Sequence, residues 1–302
     1  MMEALLELYN LTGKLAYHRR TSPWLLLASS PEILGFLIPA RYQAGFGLKI
    51  LLSSGNNDEM MLQSFLNSRV LGYFDRSTAP PYPVFMPVLD LFNHDFQGAL
   101  FEINQDHNKE GSVAIKRSIP SRFTGNECFA CYGPHDSFDP WLLYGFIDLT
   151  APFVTSIAMT IELPTLGKIE LTPVIKNREP RNLPTVVSDL SFYIPAVLAK
   201  NGDNINVARL VIPGPAAPRA LRRTLHFLIS EMHPGHAKKQ NLVMQAEEQI
   251  VAANYVYYQN LARFLQGLYP QDPLQRPILD GFIRLCDLQL LRVAAYRGYA
   301  KD

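Results

Sequence analysis

Apolar residues recur at helical spacing at both ends of the chain and in short, closely spaced runs between them. Over the first 40 residues the pattern predicts helical pieces in "MEALLELYN", "SPWLLLASS" and "SPEILGFLI", with Trp24, Leu26, Leu27, Ile33 and Phe36 as core positions. In the last two pieces a serine (Ser22, Ser30) stands before a proline (Pro23, Pro31), the order of an N-cap followed by a first helical residue that needs no N–H donor. A further helix is predicted from Asp58 to Val70, carrying Met61, Phe65, Leu66 and Arg69 near helical spacing, and "DRSTAPPYP" then makes a stiff connector. From "VFMPVLDLFNH" onward the period shortens. "ALFEI", "SVAIKRSI", "NECFACYG", "LLYGFID" and "SIAMTIEL" read as short strands separated by glycine and asparagine. Beyond Pro213 three long helical patterns follow, broken near Gly235 and at Pro270, Pro273 and Pro277. The fold class expected is α+β, with a body of short sheets and N-terminal helices over 1–212 and a helical C-terminal domain over 213–302. Strands do not alternate with long helices, which argues against a doubly wound nucleotide-binding sheet.

Composition narrows the classes of partner. Lys plus Arg number 28 against 27 Asp plus Glu, a net charge of +1, so no global field draws the chain toward nucleic acid or an anionic membrane. Hydrophobic residues form 48% of the chain and charged ones 18%, which suits a packed globule with apolar surface to spare for a partner or substrate groove. Three cysteines, Cys128, Cys131 and Cys286, do not make a disulfide framework and point to a reducing compartment. The start "MMEALLELYN" lacks the basic region of a secretory signal, and no apolar run reaches ~20 residues, so a soluble cytoplasmic protein without a membrane segment is expected.

The stretch "VLDLFNHDFQG" runs an apolar series into Asn93 and His94. A histidine there is an acid, a base, a metal ligand or a hydrogen-bonded structural residue, and the residues alone leave these open. A metal site is not expected: His94, His107 and His135 lack ligand spacing, and Cys128 and Cys131 have no second pair. No G-x-S-x-G nucleophile elbow occurs, and Gly45-Phe46-Gly47 lacks the rest of a dinucleotide fingerprint. Two tyrosine–glycine steps stand out, Tyr132-Gly133 and Tyr144-Gly145-Phe146. Glycine after each tyrosine permits a sharp turn and close approach of a ligand, while core aromatics at strand ends are the plainer account.

Taken in order, "SFLNSRVLG", "FMPVLDLFNH", "ECFACYGPHDS" and "LLYGFID" resemble SET-domain protein methyltransferases, in particular the branch of the Rubisco large-subunit lysine methyltransferase. Asn93-His94 matches that family's NH motif, Tyr132-Gly133 its YG motif and Tyr144-Gly145-Phe146 its YGF. Gly45-Phe46-Gly47 is the local match to the G-x-G wall, close enough to Arg69 to shorten the N-terminal SET region. The resemblance implies a SET-like fold of short sheets and S-adenosyl-L-methionine-dependent transfer of a methyl group to a neutral side-chain amine of a protein lysine. Histidine is the other acceptor that presents a neutral nitrogen. It implies that Tyr132 is catalytic, that Arg69, Asp90, Asn93, His94 and Tyr132 hold the cofactor, and that Tyr144 and Phe146 confine the substrate. The competing expectation is a degenerate SET-like scaffold that binds a protein partner without methyl transfer.

Overall fold

A computed structural model describes residues 2–41, 56–73, 82–85, 93–105, 111–115, 129–133, 135–164, 166–172, 181–182, 196–201, 204–232, 235, 239–270 and 272–299. Gly45-Phe46-Gly47, Asp90, His107, Cys128 and prolines 80 and 81 of the connector lie outside them. The described chain is mixed helix and strand with small sheets, in agreement with the α+β expectation. It divides into two compact units, Met1–Leu26 with Leu51–Ala151, and Leu27–Ile50 with Pro152–Asp302. Among the described residues no single helix is long and apolar enough to cross a membrane.

The first unit opens with α1 (Met2–Leu11) and α2 (Lys14–Thr21) and takes in the start of α3 (Pro23–Ser29). As expected, Ser22 caps α3: its Oγ accepts the Trp24 N–H at 3.4 Å. The next helix, α5 (Asn57–Asn67), is capped by Asn56, whose Oδ1 accepts from the amides of Asp58 and Glu59. It is shorter than the sequence suggests. Ser68 closes it, and Val70 leaves the helix to open β1 (Val70–Tyr73), which pairs antiparallel with β2 (Tyr82–Phe85). Pro83 of the expected connector lies inside β2, opposite Gly72. Met60, Met61, Ser64 and Phe65 form the buried face of α5, and the Phe65 ring meets Tyr9 of α1 edge-on at 4.9 Å. The remaining sheet of this unit has the order β4 (Gly111–Ile115), β3 (Asn93–Gln105), β5 (Phe129–Cys131).

One expectation fails here. "LLYGFID" is no strand: its first three residues end α6 (Phe138–Tyr144). Asp136, fully buried, accepts the Phe138 and Asp139 amides at the helix start, and Gly145 stops the helix in the left-handed conformation at φ 81°. The capping carboxylate and the glycine stop outweigh the strand propensity of the aromatic run between them.

The second unit contains the end of α3, a 3-10 turn (Pro31–Ile33) and α4 (Leu34–Arg41). Pro31 does open that turn, but the Ser30 side chain makes no capping bond, so only half of the expected device is realised. Five strands follow in the order β7 (Met159–Leu163), β8 (Gly167–Thr172), β11 (Asn204–Ala208), β10 (Ala196–Asn201), β9 (Arg181–Asn182), with only the β8–β11 pair parallel. Burial alternates along β7 and β8: Ile161, Leu163, Ile169 and Leu171 are inside and Glu162, Lys168 and Glu170 outside, as a sheet covered on one face requires. A smaller sheet pairs β6 (Phe153–Thr155) with β12 (Val211–Pro213).

The helices expected beyond Pro213 are α7 (Ala220–Met232), α8 (Lys239–Gln266) and α9 (Gln275–Tyr299). On α7 the buried stripe is Leu221, Leu225, Leu228 and Met232, three or four residues apart. Three polar positions within the unit contrast in how they are satisfied. Glu247 of α8 accepts from the Arg222 Nε of α7 at 2.7 Å and from the Tyr296 hydroxyl of α9. Asn254 is fully buried and fully used, taking the Ile157 amide and donating to Ser156 Oγ and the Ile250 carbonyl. Gln289 of α9 is also fully buried, yet among the described residues neither end of its side-chain amide has a hydrogen-bond partner.

Candidate functional site

The parallel pairing of β3 with β5 builds the site. Asn93 pairs with Phe129 and His94 with Ala130, after which β3 steps out and rejoins at Ala99 opposite Ala130 and Leu100 opposite Cys131. Gly98 lies where the two strands close again. A Cβ there would sit 2.8 Å from the Ala130 carbonyl carbon and 2.9 Å from the Asp95 oxygen, so the strands come together only because the residue is glycine. Tyr132 is the first residue after β5, and the pairing therefore sets it beside His94.

Four rings meet at this point. His94 lies 5.0 Å from Tyr132 and 5.6 Å from Phe146, centroid to centroid, and Tyr132 meets Tyr144 edge-on at 5.0 Å. Tyr144 and Phe146 stack at 5.9 Å with an interplanar angle of 20°. Each tyrosine is followed by a glycine with positive φ, 143° at Gly133 and 81° at Gly145, so the backbone at both positions favours the residue found there. Tyr132, Tyr144 and Phe146 are half-buried, and Asn93 is exposed at the first position of β3.

His94 is held at both ring nitrogens. Its Nδ1 accepts the Tyr132 backbone N–H at 3.1 Å; an amide nitrogen only donates, so Nδ1 carries no proton. The proton is on Nε2, which donates to Asp148 Oδ2 at 3.1 Å. The two side chains are only 1% and 4% exposed. The other carboxylate oxygen of Asp148 accepts the Thr150 amide at 2.8 Å and the Thr150 hydroxyl at 2.6 Å. Burial pushes the Asp148 carboxyl up, but hydrogen bonds from His94 and from the hydroxyl and amide of Thr150 outweigh it and hold the group below the ordinary aspartate value. The Cys131 thiol is pushed the other way, chiefly by burial, which outweighs the opposing effect of a hydrogen bond with the Gly133 backbone, and also by the charges of Asp148 and Asp95. A buried thiol kept protonated is a poor nucleophile and a poor ligand. Among the described residues no three His, Cys, Asp or Glu side chains come together as a metal site.

The fold thus brings together His94, Tyr132, Tyr144 and Phe146, four of the residues singled out in the sequence, with Asn93 next to His94 at the exposed head of β3. Arg69 makes its ring contacts in a second cluster, built on α1, α2 and α5: its guanidinium lies 4.9 Å over the Phe65 ring and 5.9 Å over Tyr9. Asp90 lies outside the described residues. Asp148 and Thr150 were missed by the sequence reading. Their signal was the D-L-T step one residue beyond Tyr144-Gly145-Phe146, a carboxylate two residues before a hydroxyl that folds back onto it.

Compared with known proteins, the chain matches no family model, no curated protein sequence and no solved structure.

Proposed function

We propose that the protein is an S-adenosylmethionine-dependent protein-lysine N-methyltransferase with Tyr132 as its catalytic residue. The observation that carries this reading is the meeting of three separate sequence elements, Asn93-His94, Tyr132-Gly133 and Tyr144-Gly145-Phe146, around one aromatic group. The donor set suits the cofactor. Ring faces favour a sulfonium cation, and the exposed Asn93 amide at the head of β3 offers both a donor and an acceptor to an amino-acid moiety. S-adenosylmethionine, when bound, supplies a methyl group on a cationic sulfur, and an N–C bond forms as the C–S bond breaks.

The chain's own residues have three tasks in this reaction. Tyr132 places its hydroxyl at the transfer path and closes one side of the substrate channel with its ring. Tyr144 and Phe146 hold the alkyl stem of a lysine and exclude water from its amine. An ammonium has no lone pair, and desolvation lowers the lysine pKa, so an apolar aromatic wall favours the neutral, nucleophilic form. Rate enhancement then comes from alignment and placed charge, with no metal required.

The test is a binding titration with S-adenosylmethionine, followed by transfer of labelled methyl groups to a peptide and protein panel. Saturable binding with transfer is expected, and Tyr132→Phe should retain binding while slowing transfer by about 10²-fold, the scale of losing one polar group aimed at a transition state. Absence of both binding and transfer rejects the reading and favours the degenerate scaffold; unchanged turnover in Tyr132→Phe removes the role given to its hydroxyl.

A further inference from the structure

We infer that Asp148 is a positioning residue for Tyr132, acting through the tautomer of His94. This inference rests on the methyltransferase reading only for its effect on turnover. The geometry runs in one line. Thr150 supplies two donors to Asp148 Oδ1, which fixes the carboxylate and turns Oδ2 toward His94. The Ser137 hydroxyl also holds the Asp148 backbone carbonyl, so the residue is anchored at both main chain and side chain. Oδ2 is acceptor-only and calls for a proton on Nε2; Nδ1 is then left as an acceptor for the Tyr132 amide. Tyr132 follows directly on β5 and precedes Gly133, whose carbonyl accepts the His135 N–H at 2.8 Å, and the hydrogen bond from the Tyr132 N–H to His94 fixes the segment on the side of the tyrosine ring.

The arrangement makes Asp148→Asn informative although it changes almost no volume. The two Thr150 donors keep the carboxamide oxygen on their side and leave the NH2 group facing Nε2. Nε2 must then accept, the proton moves to Nδ1, and it meets the Tyr132 N–H across a 3.1 Å gap as a second donor. The hydrogen bond from the Tyr132 N–H is lost and Tyr132 turns away from its ring partners. A residue serving stability alone would leave the tautomer where it was.

The experiment is NMR on protein carrying heavy-nitrogen-labelled histidine, with the His94 resonances assigned by their loss in His94→Asn, alongside steady-state methyl transfer. The wild type should show a protonated Nε2 and a bare Nδ1; Asp148→Asn should reverse the two and shift the Tyr132 amide. Turnover should fall by about 10²-fold, the scale of a small misplacement of a reacting group, with a lesser change in KM for S-adenosylmethionine. A wild-type ring protonated at Nδ1 overturns the inference without any variant. So does a folded Asp148→Asn that keeps the Nε2 proton, or one that reverses the tautomer with kcat unchanged. Reversal of the tautomer in a protein whose wild type neither binds S-adenosylmethionine nor transfers methyl groups defeats the methyltransferase reading and leaves the relay from Asp148 to Tyr132 standing.

Discussion

His18 is buried to 2% exposure with its Nε2 2.9 Å from Ser64 Oγ. Ser64 gives its own proton to the Met61 carbonyl, so the imidazole donates to it, and neither side chain supplies a negative charge. Burial first, and the nearby Arg69 charge second, lower the His18 pKa from 6.5 to about 4. The unfolded chain therefore takes up a proton between these values that the folded chain refuses. Stability is full above 6.5 and declines as pH falls toward 4, by on the order of 3 kcal/mol. Asp148, held below its ordinary value, adds its loss only at still lower pH. Urea midpoints measured from pH 7 to 4 should drop for the wild type and flatten for His18→Gln; an equal slope in both would show that His18 does not titrate this way. At this scale the sequence was readable where residue type alone demands a conformation. The glycines after Tyr132 and Tyr144 pointed to backbone that side chains disfavour, and both take a positive φ. Asp148 was not readable, because its importance lies in which proton His94 carries, and that depends on a strand pairing between distant segments.

Along the elements, the step in β3 between His94 and Ala99 bears most on the site. Three backbone atoms, the Ala130 carbon, the Asp95 oxygen and the Cys131 nitrogen, stand within 2.8 to 3.0 Å of where a Gly98 side chain would begin. Backbone cannot rotate aside as a side chain can, so Gly98→Ala should lower stability by about 1–3 kcal/mol, read from denaturant midpoints, and should weaken the pairing that sets Tyr132 beside His94. An alanine variant as stable as wild type would refute the close approach. Helices with a long apolar stripe, such as α7, were legible because their periodicity exceeds the reach of chance. The segment "LLYGFID" departs from its local pattern for a converse reason. It is short, aromatic and rich in strand formers, and what makes it helical is Asp136, a capping residue outside the run itself. The end of α5 was misplaced because Val70 is claimed by β1, a pairing with Phe85 that local pattern does not report.

For the whole molecule, the near balance of charge leaves polar groups inside each unit to be settled locally rather than by a global field. The second unit settles Asn254 and Glu247 and leaves Gln289 unsettled. With Cys286 and Val293 fully buried on the turns either side of it, Gln289→Met removes two unpaired polar atoms at nearly constant volume. It should stabilise the protein by about 1–3 kcal/mol, seen as a higher urea midpoint at unchanged slope; a lower midpoint would mean that the amide has a use in the folded state. The overall α+β class was legible because it needs only the period of the apolar residues in each segment, whereas the split into units depends on which distant segments pack together. Glu247 has a further consequence. Its carboxylate is shared by α7, α8 and α9, so none of these helices can open without breaking a charged or buried hydrogen bond to another. The three are therefore expected to open as one foldon joined at Glu247, and Glu247→Ala should raise amide hydrogen exchange in all three helices together, as mass spectrometry would read.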